Sequence, residues 1–360
     1  MIAVIGGGVV GLASARALAL RGIDVVVLER HARPGLETST HNSGIIHAGL
    51  YYPPASLKAR LCIEGRERLF AFANEHGVPH IRCGKLVVAT VPAEEPVLDR
   101  LHANASASGA TLRDVDRAFI AAREPHIACT RALWSPDTGW IEAESYVRAL
   151  AMDLRRLDVP VLVGTAPVAC EVSGERLVLV TERERIDVDV IVNAAGLYAD
   201  DISTLCGGEA FRIYPCRGEY AELAPRARGR VNGPVYPVPH PSGHGLGVHF
   251  ARTLSGSVTI GPTIEYRERK DDYESGRLPL EAFVEPTARM LPGITIDDLR
   301  LGGSGIRAKL HPPEQTFADF MIRADAQQPR LFHAAGIDSP GLTSSLAIAE
   351  MVADGVQRIG

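Results

Sequence analysis

No stretch of the 360 residues stays apolar for the roughly 18–20 positions of a membrane span. Basic charge is not in excess either. Lys and Arg number 38 against 43 Asp and Glu, a formal net charge of −5, so the chain carries no basic field for nucleic acid. The six cysteines, Cys62, Cys83, Cys129, Cys170, Cys206 and Cys216, make no Cys-x-x-Cys pair and no zinc-ribbon spacing. A chain this long needs no disulfide staples, so they read as reduced, buried thiols of a cytoplasmic protein. There is no internal repeat and no low-complexity linker. The apolar start lacks a basic flank and runs straight into glycines, so it does not read as a signal peptide. What remains is ordinary globular composition, and the length argues for about two domains.

The clearest signal opens the chain. Residues 1–5 form a short aliphatic run, the look of a buried parallel strand. Gly6-Gly-Gly8-Val9-Val10-Gly11 follows, which is G-x-G-x-x-G. An alanine- and leucine-rich helix then covers 12–20, and a β-branched strand covers 23–28 and ends in Glu29. This is the strand–helix–strand order of a dinucleotide fingerprint. Gly6 permits the tight turn, Gly8 lets a pyrophosphate approach the backbone, and Gly11 lets helix and strand pack closely. The helix N-terminus offers N–H groups to phosphates. Glu29 is placed to accept from both ribose hydroxyls, which disfavours NADP.

The fingerprint alone does not separate NAD from FAD; the next segment does. After Arg30 the chain gives Glu37-Thr-Ser-Thr40 and then His41-Asn-Ser-Gly44-Ile-Ile46-His47-Ala-Gly-Leu-Tyr51-Tyr52. Hydroxyls and an amide beside glycines, followed by an aromatic pair, suit a ribityl chain and an isoalloxazine ring.

The stretch His41 to Tyr52, with Ser56-Leu-Lys-Ala-Arg-Leu-Cys62 after it, resembles the L-2-hydroxyglutarate dehydrogenase/oxidase branch of the D-amino-acid-oxidase-like (DAO) flavoproteins. Further stretches match in order: Cys83-Gly-Lys-Leu-Val-Val-Ala-Thr90, Pro136-Asp-Thr-Gly139, Asn193-Ala-Ala-Gly-Leu-Tyr198, Arg217-Gly-Glu-Tyr220, Tyr236-Pro-Val-Pro239, Leu246-Gly-Val-His-Phe250, Gly305-Ile-Arg307 and Ser339-Pro-Gly-Leu-Thr343. The chain departs from the family at His240-Pro-Ser-Gly-His-Gly245 and around Lys270-Asp-Asp-Tyr-Glu274, both in the expected substrate region.

The resemblance implies an α/β (α+β) fold: a Rossmann-like FAD-binding domain with an antiparallel-sheet substrate domain, both discontinuous. The expected division is 1–80, 140–210 and 300–360 for FAD, and 81–139 with 211–299 for substrate. Helices are expected over 65–76, 96–108 (on the surface), 144–157, 278–291 and 342–357. Short strands are expected over 86–90, 160–163, 169–172, 177–181, 188–192, 212–223, 235–238, 245–252, 257–261 and 331–335. FAD contacts are expected at Gly6, Gly8, Val9, Val10, Gly11, Glu29, Arg30, Thr38, Ser39, Asn42, Ser43, Gly44, Ile46, Val168 or its neighbours, Ala195, Gly196, Gly305, Arg307, Gly341, Leu342 and Thr343. The turn at 340–343 would set a helix N-terminus against the flavin's O2 edge, where it stabilises negative charge on the reduced ring.

Oxidising a 2-hydroxy acid moves a hydride from C2 to the flavin and a proton from the hydroxyl to a base. Histidine is the default base. His47, beside the expected ring, and His249, on an expected substrate-sheet strand, stand out among 12. A guanidinium gives a planar grip on a carboxylate. Arg307, Arg217 and Arg252 are candidates, with Lys309 a fourth, and Tyr236 is a candidate donor to substrate. His240, His244 and His249 are spaced for a metal, but no carboxylate or cysteine joins them, so no metal is expected. Gly302-Gly-Ser304-Gly lacks the second glycine of the hydrolase elbow.

The reading is an FAD-dependent enzyme acting on a small 2-hydroxy acid resembling L-2-hydroxyglutarate. Amino-acid oxidation and a non-catalytic flavin holder are the alternatives. Oxygen, a quinone or a partner flavoprotein would serve as electron acceptor, and a quinone user would touch a membrane peripherally.

Overall fold

A computed structural model describes residues 1–239 and 247–359. The fingerprint strand Ile2–Ile5 lies inside a six-stranded sheet, parallel to Val25–Glu29 on one side and Val190–Asn193 on the other. Leu331–Ala335 and Val161–Val163 extend it in parallel, and Met321–Ala324 closes one edge antiparallel. The inner strands are near-continuous aliphatic runs because both faces are covered. One face packs against the helices Val9–Ala19, Ala143–Arg156 and Gly341–Val356, with Leu57–Glu75 against the last of these. The other face meets a three-stranded antiparallel sheet, Pro167–Ser173, Arg176–Thr181 and Arg185–Val188, and the short helix Ala199–Leu205.

A nine-stranded, mostly antiparallel sheet forms the second body. Its order runs Glu265–Tyr266, Tyr214–Leu223, Val258–Gly261, His249–Arg252, Val235–Pro237, Lys85–Ala89, Arg131–Ser135, Arg113–Val115, with Leu299–Lys309 on the free side of Tyr214–Leu223. Its apolar core includes Leu86, Val88, Val235, Phe250, Ile260, Phe283 and Leu291.

Several elements differ from expectation; the helix expected over 278–291, for one, is a 3-10 turn over Leu280–Phe283 followed by a helix over Val284–Met290. Leu299–Lys309, grouped by sequence with the nucleotide-binding segments, pairs with Tyr214–Leu223 from Tyr214 opposite Lys309 to Leu223 opposite Leu299. Its glycines hide a period of two that sends Gly305, Arg307 and Lys309 to one side. The helix expected over 65–76 starts at Leu57, because Ser56 Oγ accepts the Ala59 N–H as an N-cap. The helix Glu95–Ser108 does not lie simply on the surface. Leu98, Leu101 and Ala105 are buried against Val87, Ala89 and Leu133.

Candidate active site

One cavity of about 860 Å³ runs from the ends of the central parallel strands to the large sheet. That is within the size range of cofactor pockets.

At the nucleotide end, Gly6 sits at φ +112°, and a Cβ there would lie 2.3 Å from the Ala194 carbonyl oxygen. A Cβ on Gly11 would lie 1.9 Å from the Gly6 oxygen, so helix and strand touch through glycine. The buried Glu29 carboxylate accepts from Gly7 N–H and His31 N–H, each at 2.8 Å. Each oxygen keeps a second lone-pair direction for a ribose hydroxyl. The Arg30 guanidinium lies 3.7 Å from the centre of the Tyr198 ring and pairs with Glu37. Burial alone would raise the Glu37 carboxyl; bonds from Tyr273, His31 and Arg30 hold it below the usual range.

The hydroxyl-rich loop is braced before it meets any ligand. Ser39 Oγ accepts the Val9 N–H at 3.0 Å, and Thr38 Oγ1 donates to the Ile306 carbonyl at 2.8 Å. The Asn42 amide donates to the Ser39 carbonyl and accepts the Gly44 N–H, both at 2.8 Å. Gly305 brings the long strand so close that a Cβ would lie 2.0 Å from the His41 carbonyl oxygen. Ser43, Val10, Ala195, Gly196, Gly341 and Leu342 also line the cavity. These features fit FAD: glycines where a pyrophosphate needs backbone, and an acid at ribose.

At the far end, His249 stacks on Tyr236, with ring centres 3.7 Å apart and planes 19° from parallel. Its Nδ1 lies 2.9 Å from the Gly247 carbonyl oxygen. A carbonyl only accepts, so Nδ1 carries the proton and Nε2 keeps its lone pair. Burial, then the nearby Lys85 and Arg307 charges, push the imidazole down to about 3 against the Gly247 bond. His47 is likewise down at about 3, through burial and then the Lys85 charge and His249. Its Nε2 lies 3.3 Å from Ser339 Oγ. Among the described residues the half-buried Arg307 makes only long contacts, 3.4 Å to the Thr263 carbonyl and 3.5 Å to that of Cys216, leaving its fork available. Lys309 and Lys58 both pair with the buried Asp338, at 3.3 and 2.6 Å.

The whole length of this architecture has known counterparts. Residues 1–355 match the family model described as FAD dependent oxidoreductase, DAO. The chain belongs to this family. As an FAD-dependent oxidoreductase it resembles the mitochondrial L-2-hydroxyglutarate dehydrogenase of Arabidopsis thaliana, at 34% identity over 98% of this chain and 82% of that protein. The Homo sapiens protein of the same name is 32% identical over 99% and 88%. In fold it resembles the L-α-glycerophosphate oxidase of Mycoplasma pneumoniae, solved with FAD bound, with a TM-score of 0.90 and 24% identity over 99% and 94% of the two chains. A glycine oxidase from Geobacillus kaustophilus gives 0.85 and 22% over 99% and 94%. The cofactor of this oxidoreductase is FAD.

Several expected site residues lie elsewhere. Arg217 is fully buried off the cavity, 2.8 Å from both Glu219 and Glu265, and donates to the Ser275 carbonyl. Alternation along Tyr214–Leu223 explains it: Gly218 and Tyr220 line the cavity, and Arg217 and Glu219 do not. Arg252 spends its guanidinium on the carbonyls of Arg228 and Val231. Val168 is exposed and off the cavity, whereas its neighbours Thr165, Ala166 and Pro167 line it. Gly11, Gly44, Ile46 and Thr343 support the wall without lining it. His240 and His244 lie outside the described residues. Among the described residues, no helix is long and apolar enough to cross a membrane.

Sequence reading assigned no role to Lys58, Tyr220 and Asp338, which all line the cavity of the oxidoreductase. It also passed over Lys85, buried behind them. A lysine opening the otherwise aliphatic strand Lys85–Ala89 was the one visible signal.

Proposed function

We propose that this oxidoreductase oxidises L-2-hydroxyglutarate, or a close 2-hydroxy acid, to the 2-oxo acid. One observation carries the reading: a neutral histidine whose Nε2 keeps its lone pair and a loosely held guanidinium open on the same cavity as the hydroxyl-rich loop. When bound, FAD supplies the acceptor for the hydride leaving C2. Arg307 binds the C1 carboxylate through two parallel N–H bonds, fixing C2. His249 takes the hydroxyl proton at Nε2, its orientation set by Gly247 and the Tyr236 ring. His47 flanks the same hydroxyl and stays neutral, so it adds no charge that repels the departing proton. The likeness to the named dehydrogenases supports the choice of substrate.

The domain division we propose follows the sheets, with the six-stranded sheet carrying FAD and the nine-stranded sheet the substrate. Six cysteines without a disulfide support a reducing compartment such as the cytoplasm.

The test is anaerobic bleaching of the flavin by a panel of 2-hydroxy and 2-amino acids. Bleaching by L-2-hydroxyglutarate is the expected result. Bleaching by amino acids alone would move the protein to amine oxidation.

A further inference from the structure

Behind the substrate end sits a buried lysine with no anionic partner among the described residues. Lys85 is fully buried at the start of its strand. Its ammonium lies 4.6 Å from the centre of the Tyr51 ring and 4.2 Å from that of Tyr236. Nζ has no hydrogen-bond partner among the described residues, and neither do the Tyr51 hydroxyl, the Tyr236 hydroxyl or His47 Nδ1.

The titratable groups facing Lys85 are His47 and Tyr51 from the 47–52 segment, Cys62 from the helix Leu57–Glu75, Cys83, Tyr236 and His249. Burial raises both thiols, to about 12 and about 11, and raises both phenols. Both imidazoles are neutral. None of the six is therefore an anion at neutral pH. A buried ammonium without a counter-ion is costly, and each orphaned hydroxyl adds to the cost. Tyr51, Tyr236 and His47 line the cavity, so a ligand can reach them. A cation against a phenol face draws electron density from the ring, which makes the O–H a better donor. The ligand that answers both needs is one whose oxygens only accept and which carries negative charge: a carboxylate.

We propose that the Tyr51 and Tyr236 hydroxyls, backed by the Lys85 ammonium, form the subsite for the second carboxylate of a dicarboxylic 2-hydroxy acid. The assignment rests on the reading above, in which Arg307 holds the first carboxylate. The strands carrying Arg307 and Tyr236 lie four positions apart in the sheet, so the two ends of the acid meet separate strands. Burial lowers Lys85 to about 7. An arriving carboxylate raises it, so binding of the diacid takes up a proton near neutral pH.

Calorimetric titration of the FAD-loaded enzyme with glutarate and with pentanoate, equal in chain length, tests this. Two buffers of different ionisation enthalpy reveal the proton. Wild type should bind glutarate at least about tenfold tighter, with net proton uptake. Lys85→Met should lose both the preference and the uptake. The double variant Tyr51→Phe, Tyr236→Phe keeps the ring packing and should lose most of the preference even if Lys85→Met fails to fold. Equal affinity for both acids in wild type, or an unchanged preference in the phenylalanine variant, overturns the subsite. Flavin bleaching separates the two readings. If no hydroxy acid bleaches the flavin while the glutarate preference behaves as stated, the reaction fails and the subsite stands.

Discussion

The backbone N–H of His47 donates to Thr343 Oγ1 at 2.9 Å, joining residues 296 positions apart. The same hydroxyl lies 3.4 Å from the Ile45 carbonyl. The closing helix thus sets the height of the loop that carries His47, one of the histidines lining the cavity.

Thr343→Val keeps the shape and removes the acceptor. It leaves the His47 N–H unsatisfied, which costs about 1–3 kcal/mol. We expect a matching drop in unfolding free energy in urea, largely restored in Thr343→Ser. Valine at full stability would show that the bond contributes nothing.

Glu29→Ala should weaken FAD binding. It removes the acceptor for two backbone N–H groups and for the ribose, and charge-assisted bonds are worth about 1.5–3 kcal/mol each. Titrating flavin-stripped protein with FAD should give a dissociation constant raised about tenfold or more. An unchanged constant would take Glu29 out of the nucleotide site.

The two arginines should separate cleanly. Arg307→Lys should lower kcat/KM by about 2–5 kcal/mol, because a lysine cannot make the paired bonds. Arg217→Met should instead cost stability, up to about 3–5 kcal/mol, since it removes the nearer of the two guanidiniums, Arg217 and Arg277, that pair with the buried Glu219 carboxylate. Steady-state kinetics beside urea melts reads both. An Arg217 variant of wild-type stability but raised KM would reverse the assignment.

Acid should destabilise the fold through His47 and His249. Their imidazoles are held near 3 when folded and return to about 6.5 when unfolded. Between those values the unfolded chain binds more protons, so stability is full above about 6.5 and falls as pH drops toward 3. Urea midpoints measured from pH 7 to 5 should decline, and His249→Gln should shallow the slope. A slope identical in that variant would show that His249 does not drive the loss.

Much of the nucleotide half could be read in the sequence because its determinants are local. Gly6, Gly8, Gly11 and Glu29 lie within one strand–helix–strand unit, and short-range sterics fix where each must go. The hydroxyl-rich loop was legible only in part: Asn42 braces it locally through the Ser39 carbonyl and the Gly44 N–H, whereas Thr38 and Ser39 reach Ile306 and Val9. Arg217 and Arg307 show where local reading ends. Both lie within two residues of a glycine in an extended stretch, and only the pairing of Leu299–Lys309 with Tyr214–Leu223 decides that one faces the cavity and the other a pair of glutamates. A shift of one residue in a strand exchanges the faces, and nothing in the nearby sequence reports the shift. Lys85 is the stronger case. Its neighbours Tyr51, Tyr236 and His249 come from three separate parts of the chain. Its burial and the lack of a counter-ion among the described residues are properties of that assembled wall, so only the tertiary structure could decide them.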